Sequence, residues 1–165
     1  LQGYANKAHD GFLGHSFVGE WVNLGAGTTT GNLRTDYGPI SVPAGGQLVP
    51  TGRMKVGSFL GDPAKTGLSV LFDCGTSVGP FATVLPTGQL APREVPAFCR
   101  AGPGGLSEDP DPDALYTAAD RMMRRRDRAL TRTLEAVYRA VAAQPAADRL
   151  RAVAGTVVER RRRAG

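Results

Sequence analysis

The sequence is poor in the residues that staple small domains or hold metal ions. It contains two cysteines and two histidines among 165 residues. So few cysteines exclude a disulfide scaffold, and we expect Cys74 and Cys99 to be reduced, structural residues of a cytoplasmic protein. No Cys/His spacing typical of a ligand set occurs, so no metal site is predicted.

Long apolar runs and nucleotide-binding loops are also missing. No apolar stretch reaches membrane-spanning length and no signal peptide is visible, so we expect no membrane span. Neither a Walker-type loop nor a dinucleotide fingerprint is present. The chain starts at Leu1, inside what the pattern described below indicates is a partly formed repeat. We therefore expect a fragment whose upstream part lies outside this sequence.

Positive charge is concentrated in the last third of the chain. The net charge is +5 and the pI is about 9.7, with arginine dominating residues 121–163. Basic stretches can bind nucleic acid. Here no aromatic residues alternate with the arginines, as they do in single-strand binding surfaces. We therefore predict solvated helix faces with basic helix ends, and no nucleic-acid partner.

Glycine is abundant, with 22 residues, and much of it recurs at intervals of six. Residues 18–23 and 24–29 both begin with an aliphatic residue followed by glycine. The same interval separates five later first-place residues, namely Leu60, Thr66, Phe72, Val78 and Val84. Small or branched residues occupy the fifth place of the later hexads, at Ala64, Val70, Thr76 and Ala82.

Such hexapeptide repeats are typical of a parallel β-helix, in which three hexads make one triangular coil. We expect about four or five coils over residues 1–100, with first-place residues, including Phe12, buried inside. Residues 31–53 interrupt the repeat without changing its phase, and predict an inserted loop with a hairpin around 43–46. A glycine-rich sandwich with accidental spacing is the alternative.

A helical region is predicted after the repeats. Residues 101–111 are rich in proline, glycine and aspartate and predict an exposed linker. Asp111 and Pro112 form a helix-start signal, and residues 112–163 show an amphipathic pattern with a break near 124–128. Pro145 separates a last predicted helix over 146–162.

His9 occupies the fourth place of its hexad, where a side chain projects outward near a corner. A neutral imidazole at such a position can act as a general base near pH 7. An ordinary exposed histidine is the alternative, and it is the interpretation we adopt for His15, one hexad later.

The segments NKAHDGFLGH at 6–15 and GEWVNLGAGTTTGN at 19–32 resemble the C-terminal domain of a known enzyme family. This GlmU-like family comprises bifunctional N-acetylglucosamine-1-phosphate uridyltransferase/glucosamine-1-phosphate acetyltransferases and related sugar nucleotidyltransferase-like proteins. The resemblance covers about residues 1–100. It implies a left-handed β-helix, a homotrimer, and an N-terminal nucleotidyltransferase domain outside this chain, to which any Mg²⁺ would belong.

The resemblance also implies roles for individual residues. His9 matches the base that deprotonates the amino group of the sugar, which then attacks acetyl-CoA as cosubstrate. Asn23 matches a sugar-side ligand, Asn32 supports the reacting groups, and the backbone of Ala26 lies beside the coenzyme. Phe12 stands where the family has a sugar-side tyrosine, and Lys7 is a candidate for the missing sugar-phosphate ligands.

Two functions follow as alternatives. The first is an acyl-CoA-dependent acyltransferase domain that acts on an amino sugar phosphate or nucleotide sugar, which His9 and Asn23 favour. The second is a noncatalytic, trimerising scaffold for a sugar-phosphate nucleotidyltransferase. It is favoured by three departures from the family pattern, at Phe12, Leu33 and Asp62.

Overall fold

The computed structural model describes residues 1–109, 111–144, 149 and 151. The described part is mostly β-structure with parallel pairing and two helices. The strands are β1 (Phe17–Val18), β2 (Thr29–Thr30), β3 (Ile40–Ala44), β4 (Gln47–Arg53), β5 (Phe59–Leu60), β6 (Lys65–Thr66), β7 (Leu71–Phe72), β8 (Ser77–Val78), β9 (Thr83–Val84), β10 (Glu94–Val95), β11 (Cys99–Gly102) and β12 (Gly105–Glu108). The helices are α1 (Pro112–Arg124) and α2 (Arg132–Ala143).

The short strands form three parallel ladders that the chain visits in turn. The first ladder is β1-β5-β8-β10, the second joins β6, β9 and β11, and the third joins β2 and β7. Phe59 pairs with Ser77 in the first ladder and Lys65 pairs with Thr83 in the second, so the chain returns to each ladder after 18 residues. We call one such circuit a coil and residues 1–102 the stack. Three hexads per coil is the period that the sequence predicted.

The second ladder has five rungs. Asn6 bridges to Asn23 and Asn23 bridges to Lys65, and from there the ladder continues through β9 to Arg100 in β11. The step from Asn23 to Lys65 is 42 residues, which is one coil plus 24 inserted residues. The insertion contains the antiparallel hairpin β3–β4, closed by Gly45 and Gly46.

First-place and fifth-place side chains fill the interior of the stack. Six of the seven side chains predicted to share one core do so, namely Val18, Leu24, Leu60, Phe72, Val78 and Val84. The prediction for Phe12 is wrong, because this side chain is 52% exposed. Phe12 lies in the first coil, where only the following coil covers it, through the hydrogen bond from Thr30 N to Phe12 O (2.9 Å).

One corner of the stack carries a column of aromatic residues on its outside. Tyr4, Trp21, Phe81 and Phe98 all have φ between 57° and 60°, and each is one or more coils from the next. The rings of Tyr4 and Trp21 are stacked with centroids 4.1 Å apart, and those of Phe81 and Phe98 with centroids 5.0 Å apart. We call these four residues the aromatic corner.

The predicted helix start and break are both observed. Asp111 caps α1 by accepting a hydrogen bond from Ala114 N (2.9 Å), and Pro112 is the first helical residue. The helix ends at Arg124, inside the predicted break, and Thr131 caps α2 by accepting from Leu134 N (3.2 Å). The predicted helix over 146–162 lies outside the described residues except for Arg149 and Arg151.

Helices α1 and α2, which we call the arm with their connecting turn (residues 111–144), pack on the aromatic corner. Tyr116 and Tyr138 meet the Phe81 ring edge-on, with centroids 5.3 and 4.7 Å away. Residues 101–111, predicted as an exposed linker, instead contain part of the hairpin β11–β12, and β11 pairs with β9. The linker prediction failed because Pro103 and Gly104 form a tight turn between two strands.

Candidate functional site

His9 lies on the outside of the first coil, at the mouth of an open groove. The groove has a volume of about 460 Å³, within the range of small-molecule sites. We call it the His9 groove. It is lined by Ala8, His9, Asp10, Ala26, Gly27, Leu68 and Ser69. His9 and Ala26, which the sequence placed on opposite sides of one reaction, therefore share a cavity.

The neighbouring coils approach each other closely in this groove. Gly27 N donates a hydrogen bond to Asp10 O (2.9 Å), and Ser69 N donates to Ala26 O (2.7 Å). Gly27 has a φ of +75°, and a Cβ on it would lie 2.9 Å from Ser69 Oγ. Any larger residue at Gly27 would be strained and would narrow the groove, so this glycine keeps the wall beside Ala26 open.

Lys7 holds the segment that carries His9. Its ammonium donates hydrogen bonds to the carbonyl oxygens of Asp10 (2.7 Å) and His9. A lysine has three N–H donors, so two are used by the backbone and one is left for a ligand. The structure thus gives Lys7 a positioning contact that its assignment as a substrate ligand did not include.

Asn32 and Phe12 belong to a second cluster, together with His15. Asn32 Nδ2 lies 2.8 Å from His15 Nδ1, at hydrogen-bond distance. The Phe12 ring lies so close to Gly14 that a Cβ there would clash with it and would lie 3.2 Å from Asn32 Nδ2. His15 was set aside in the sequence, yet its position 17 residues before Asn32, one coil away, is a signal that could have identified this pair.

Asn23 opens on a different cavity. Asn6 Nδ2 donates a hydrogen bond to Asn23 Oδ1 (2.9 Å), which ties the first two coils together. The cavity has a volume of about 80 Å³ and we call it the Asn23 pocket. It is lined by Tyr4, Asn6, Trp21, Val22, Asn23, Met122, Arg125 and Arg126. Its basic residues come from the arm, which sequence reasoning did not connect with the site.

Burial shifts two titratable groups on neighbouring coils. Lys65, paired with Asn23 through the backbone, has a lowered pKa because burial disfavours its charge. Burial also raises the pKa of Asp62, whose Oδ1 accepts a hydrogen bond from Glu20 N (2.6 Å). Asp62 is not among the residues that line the His9 groove.

Metal and membrane sites were examined across the described residues. Within residues 1–109, 111–144, 149 and 151, no group of three His, Cys, Asp or Glu side chains could hold a metal ion. In the same part of the chain, no helix is both long and apolar enough to cross a membrane.

Comparison with known proteins identifies relatives of part of the chain, although no family model matches it. A bifunctional sugar-1-phosphate nucleotidylyltransferase/acetyltransferase of Sulfurisphaera tokodaii is 37% identical over 87 residues, which cover 53% of this chain and 21% of that protein. The bifunctional protein GlmU of Methanocaldococcus jannaschii is 41% identical over 71 residues, covering 43% of this chain and 17% of that protein.

A third relative is a shorter protein. The putative uncharacterized acetyltransferase YaiX of Escherichia coli is 31% identical over 84 residues, covering 51% of this chain and 34% of YaiX. The chain thus matches about a fifth of the length of the bifunctional relatives and a third of YaiX. The predicted resemblance is confirmed, since GlmU-like proteins and sugar-1-phosphate nucleotidylyltransferase/acetyltransferases are homologous to part of the chain.

Proposed function

We propose that the stack is an acyl-CoA-dependent acyltransferase unit that acts on an amino sugar phosphate or a nucleotide sugar. The observation that carries this proposal is that His9 and Ala26 line one groove of about 460 Å³. The names of the relatives, which are transferases or acetyltransferases, support the same class. Acetyl-CoA is the cosubstrate that these names suggest.

In the proposed reaction His9 acts as the general base. The acceptor ammonium loses a proton to the imidazole, and the free amine attacks the thioester carbonyl. The C–N bond forms, the C–S bond breaks, and the thiolate of CoA leaves and takes up a proton. Proximity and a positioned base together supply the rate enhancement. Lys7 keeps the base in place through its bonds to the carbonyls of His9 and Asp10.

The remaining predicted ligands serve the acceptor and its surroundings in this proposal. Asn23 contributes to sugar binding, and Asn32, with Phe12 beside it, supports the reacting groups. These side chains lie in clusters other than the His9 groove. We therefore propose that neighbouring copies in a homotrimer complete the site, as the resemblance implies.

The finer architectural predictions belong to the same proposal. We infer a left-handed winding of four or five coils, which the 18-residue return and the five-rung ladder support without fixing the hand. We also propose a stack over residues 1–100, with the insertion 31–53, and a helical segment over 112–163. A nucleotidyltransferase domain in the intact protein and a cytoplasmic location remain predictions.

A noncatalytic scaffold is the second candidate function. It is supported by one observation in the site, namely that Asn32 is within hydrogen-bond distance of His15 and not in the His9 groove. Phe12 also lacks the hydroxyl of the tyrosine that the family has on the sugar side. In this alternative the stack trimerises and positions a sugar-phosphate nucleotidyltransferase domain.

Replacement of His9 separates the two functions. We expect His9→Ala to lower kcat about a hundredfold or more, because a general base contributes on the order of 10²–10⁴ in rate. The measurement is release of free CoA from acetyl-CoA, with amino sugar phosphates and nucleotide-linked amino sugars as acceptors. His15→Ala is the matched control and should reduce the rate far less.

Two results would contradict the acyltransferase proposal. Transfer that survives His9→Ala unchanged would mean that the base lies elsewhere. Transfer absent with every acceptor, in intact protein that carries out nucleotidyl transfer, would favour the scaffold.

A further inference from the structure

The Asn23 pocket combines features that bind a phosphate group. Two arginines, Arg125 and Arg126, line it together with the amide side chains of Asn6 and Asn23. The Asn6–Asn23 hydrogen bond uses one N–H and one carbonyl oxygen, so both N–H donors of Asn23 are left for a ligand. Guanidinium and amide N–H groups are the donors that phosphate oxygens accept from.

The turn after α1 is built so that these two arginines face the first coils. The amide nitrogens of Arg126 and Arg128 both donate to Met123 O, at 2.9 and 3.1 Å. Asp120 fixes the far side of the turn by accepting from Leu130 N (3.0 Å). Arg128 fixes the near side by donating from Nε to the hydroxyl of Tyr4 (2.9 Å).

The other charges of the turn are already used. Arg124 pairs with Asp120 at 2.6 Å, and Arg128 is bonded to Tyr4. By contrast, no ion pair of Arg125 or Arg126 is found within the described part of the chain. Asp127 is the one acid in the sequence 124–128. Two neighbouring, unneutralised guanidinium groups repel each other, and an anion between them removes that cost.

Size and shape restrict what the pocket can hold. Its volume of about 80 Å³ is well below the 300–1,000 Å³ of typical small-molecule sites. It can therefore take a single group of a ligand, with the rest of the ligand outside. The stacked rings of Tyr4 and Trp21 form one wall, and such rings offer a flat surface beside the anion.

Basic residues at the end of a helix also suit the helix dipole, and this alone would explain arginines at 124–128. The dipole does not explain why two of them line a cavity with an amide pair from the first two coils. We propose that Arg125 and Arg126, with the amide of Asn23, form a subsite for the phosphate group of a substrate. This rests on the proposed function only for the substrate's identity, which is either the acceptor sugar phosphate or CoA.

Trp21 is the single tryptophan of the chain and lines the pocket, so its fluorescence reports occupancy. The experiment titrates the full chain with glucosamine 1-phosphate, glucosamine, CoA and inorganic phosphate. We expect a saturable Trp21 response to at least one of the two phosphorylated substrates and none to glucosamine. A response to glucosamine 1-phosphate alone assigns the subsite to the acceptor, and a response to CoA alone assigns it to the coenzyme.

The double variant Arg125→Gln/Arg126→Gln should weaken that binding at least tenfold, equivalent to about 1.4 kcal/mol. The matched control is Arg121→Gln/Arg132→Gln, which removes the same charge from two exposed positions of the arm. Equal weakening by both double variants would mean nonspecific charge attraction and would overturn the subsite. No Trp21 response to either phosphorylated substrate would overturn it as well.

His9→Ala distinguishes failure of the subsite from failure of the proposed function. This variant should keep the phosphate-dependent Trp21 response while losing acyl transfer. A normal response in a chain with no transferase activity would support the subsite and contradict the function. Activity with no response would do the reverse.

Discussion

The stack and the arm bury apolar side chains in different ways. Inside the stack, each buried residue lies above or below its counterpart in the next coil, as Leu60 lies next to Val78 in the first ladder. In the arm, burial is concentrated at one corner. There Tyr116 and Tyr138 meet Phe81 at interplanar angles of 77° and 82°.

This difference separates two sources of structural information. A repeating interior is specified by local sequence, because the same small set of side chains fits the same place in every coil. The arm depends on a surface that exists only after the coils have stacked. The stack therefore contains the regular part of the fold, and the arm adds the charged residues that distinguish this chain.

The largest effect is expected inside the stack. Phe72 is 2% exposed, whereas its strand neighbour Leu71 is 37% exposed. Phe72→Ala should lower the free energy of unfolding by about 3–5 kcal/mol, because it leaves a cavity between coils. Leu71→Ala is the control and should cost much less. Chemical denaturation measures both, and equal losses would contradict the assignment of these side chains to opposite faces.

A smaller loss is expected at the junction of stack and arm. Tyr116 is buried against Phe81 and Phe98 and lies under the Arg139 guanidinium, 4.6 Å from its carbon to the ring centroid. Tyr116→Ala should cost about 2 kcal/mol and expose the arm to proteolysis while the stack stays folded. Tyr116→Phe keeps the ring and should be nearly neutral. Proteolysis within the stack at the same rate would show that the two regions do not separate.

The smallest effect is a dependence on alkaline pH, with one group in each region. Burial raises the pKa of Cys99 in the stack to about 11 and that of Tyr138 in the arm to about 12. The folded protein therefore holds protons that the unfolded chain has already lost. The free energy of unfolding should fall above about pH 9, by at most about 1.4 kcal/mol per pH unit for each group.

Two substitutions assign this dependence to its region. Cys99→Ala should flatten the profile between about pH 9 and 11. Tyr138→Phe, which keeps the ring against Phe81, should flatten it from about pH 10 upward. Stability that is flat across this range in the unmodified protein would contradict both assignments.

Most of the stack could be predicted because its period is visible in the sequence. The hexads identify Leu60, Phe72, Val78 and Val84 as interior, and the unchanged phase across 31–53 indicates an insertion. Phe12 escapes this rule because burial in a stack needs a coil on each side. The hairpin within 99–108 escaped because glycine and proline were taken as linker composition, when Pro103–Gly104 is also a turn signal.

Less of the candidate site followed from the sequence. The groove shared by His9 and Ala26 agrees with the resemblance, since both side chains lie near the same corner of successive coils. The Asn23 pocket did not, because its arginines lie about a hundred residues further along the chain and reach it only through packing of the arm. The 17-residue interval between Tyr4 and Trp21, repeated between Phe81 and Phe98, is the signal that could have located this corner.

The hydrogen bond between Arg128 and Tyr4 joins residues 124 positions apart, while Tyr116 of the same arm touches Phe98 in the last coil. In a linear repeat array each unit contacts only its neighbours, and terminal units can fray independently. Here the arm acts as a clip between the two ends, so loss of the first coil also breaks contacts made by the last. The consequence is cooperativity: the array is tied into a single folding unit, although its interior is built from nearest-neighbour contacts.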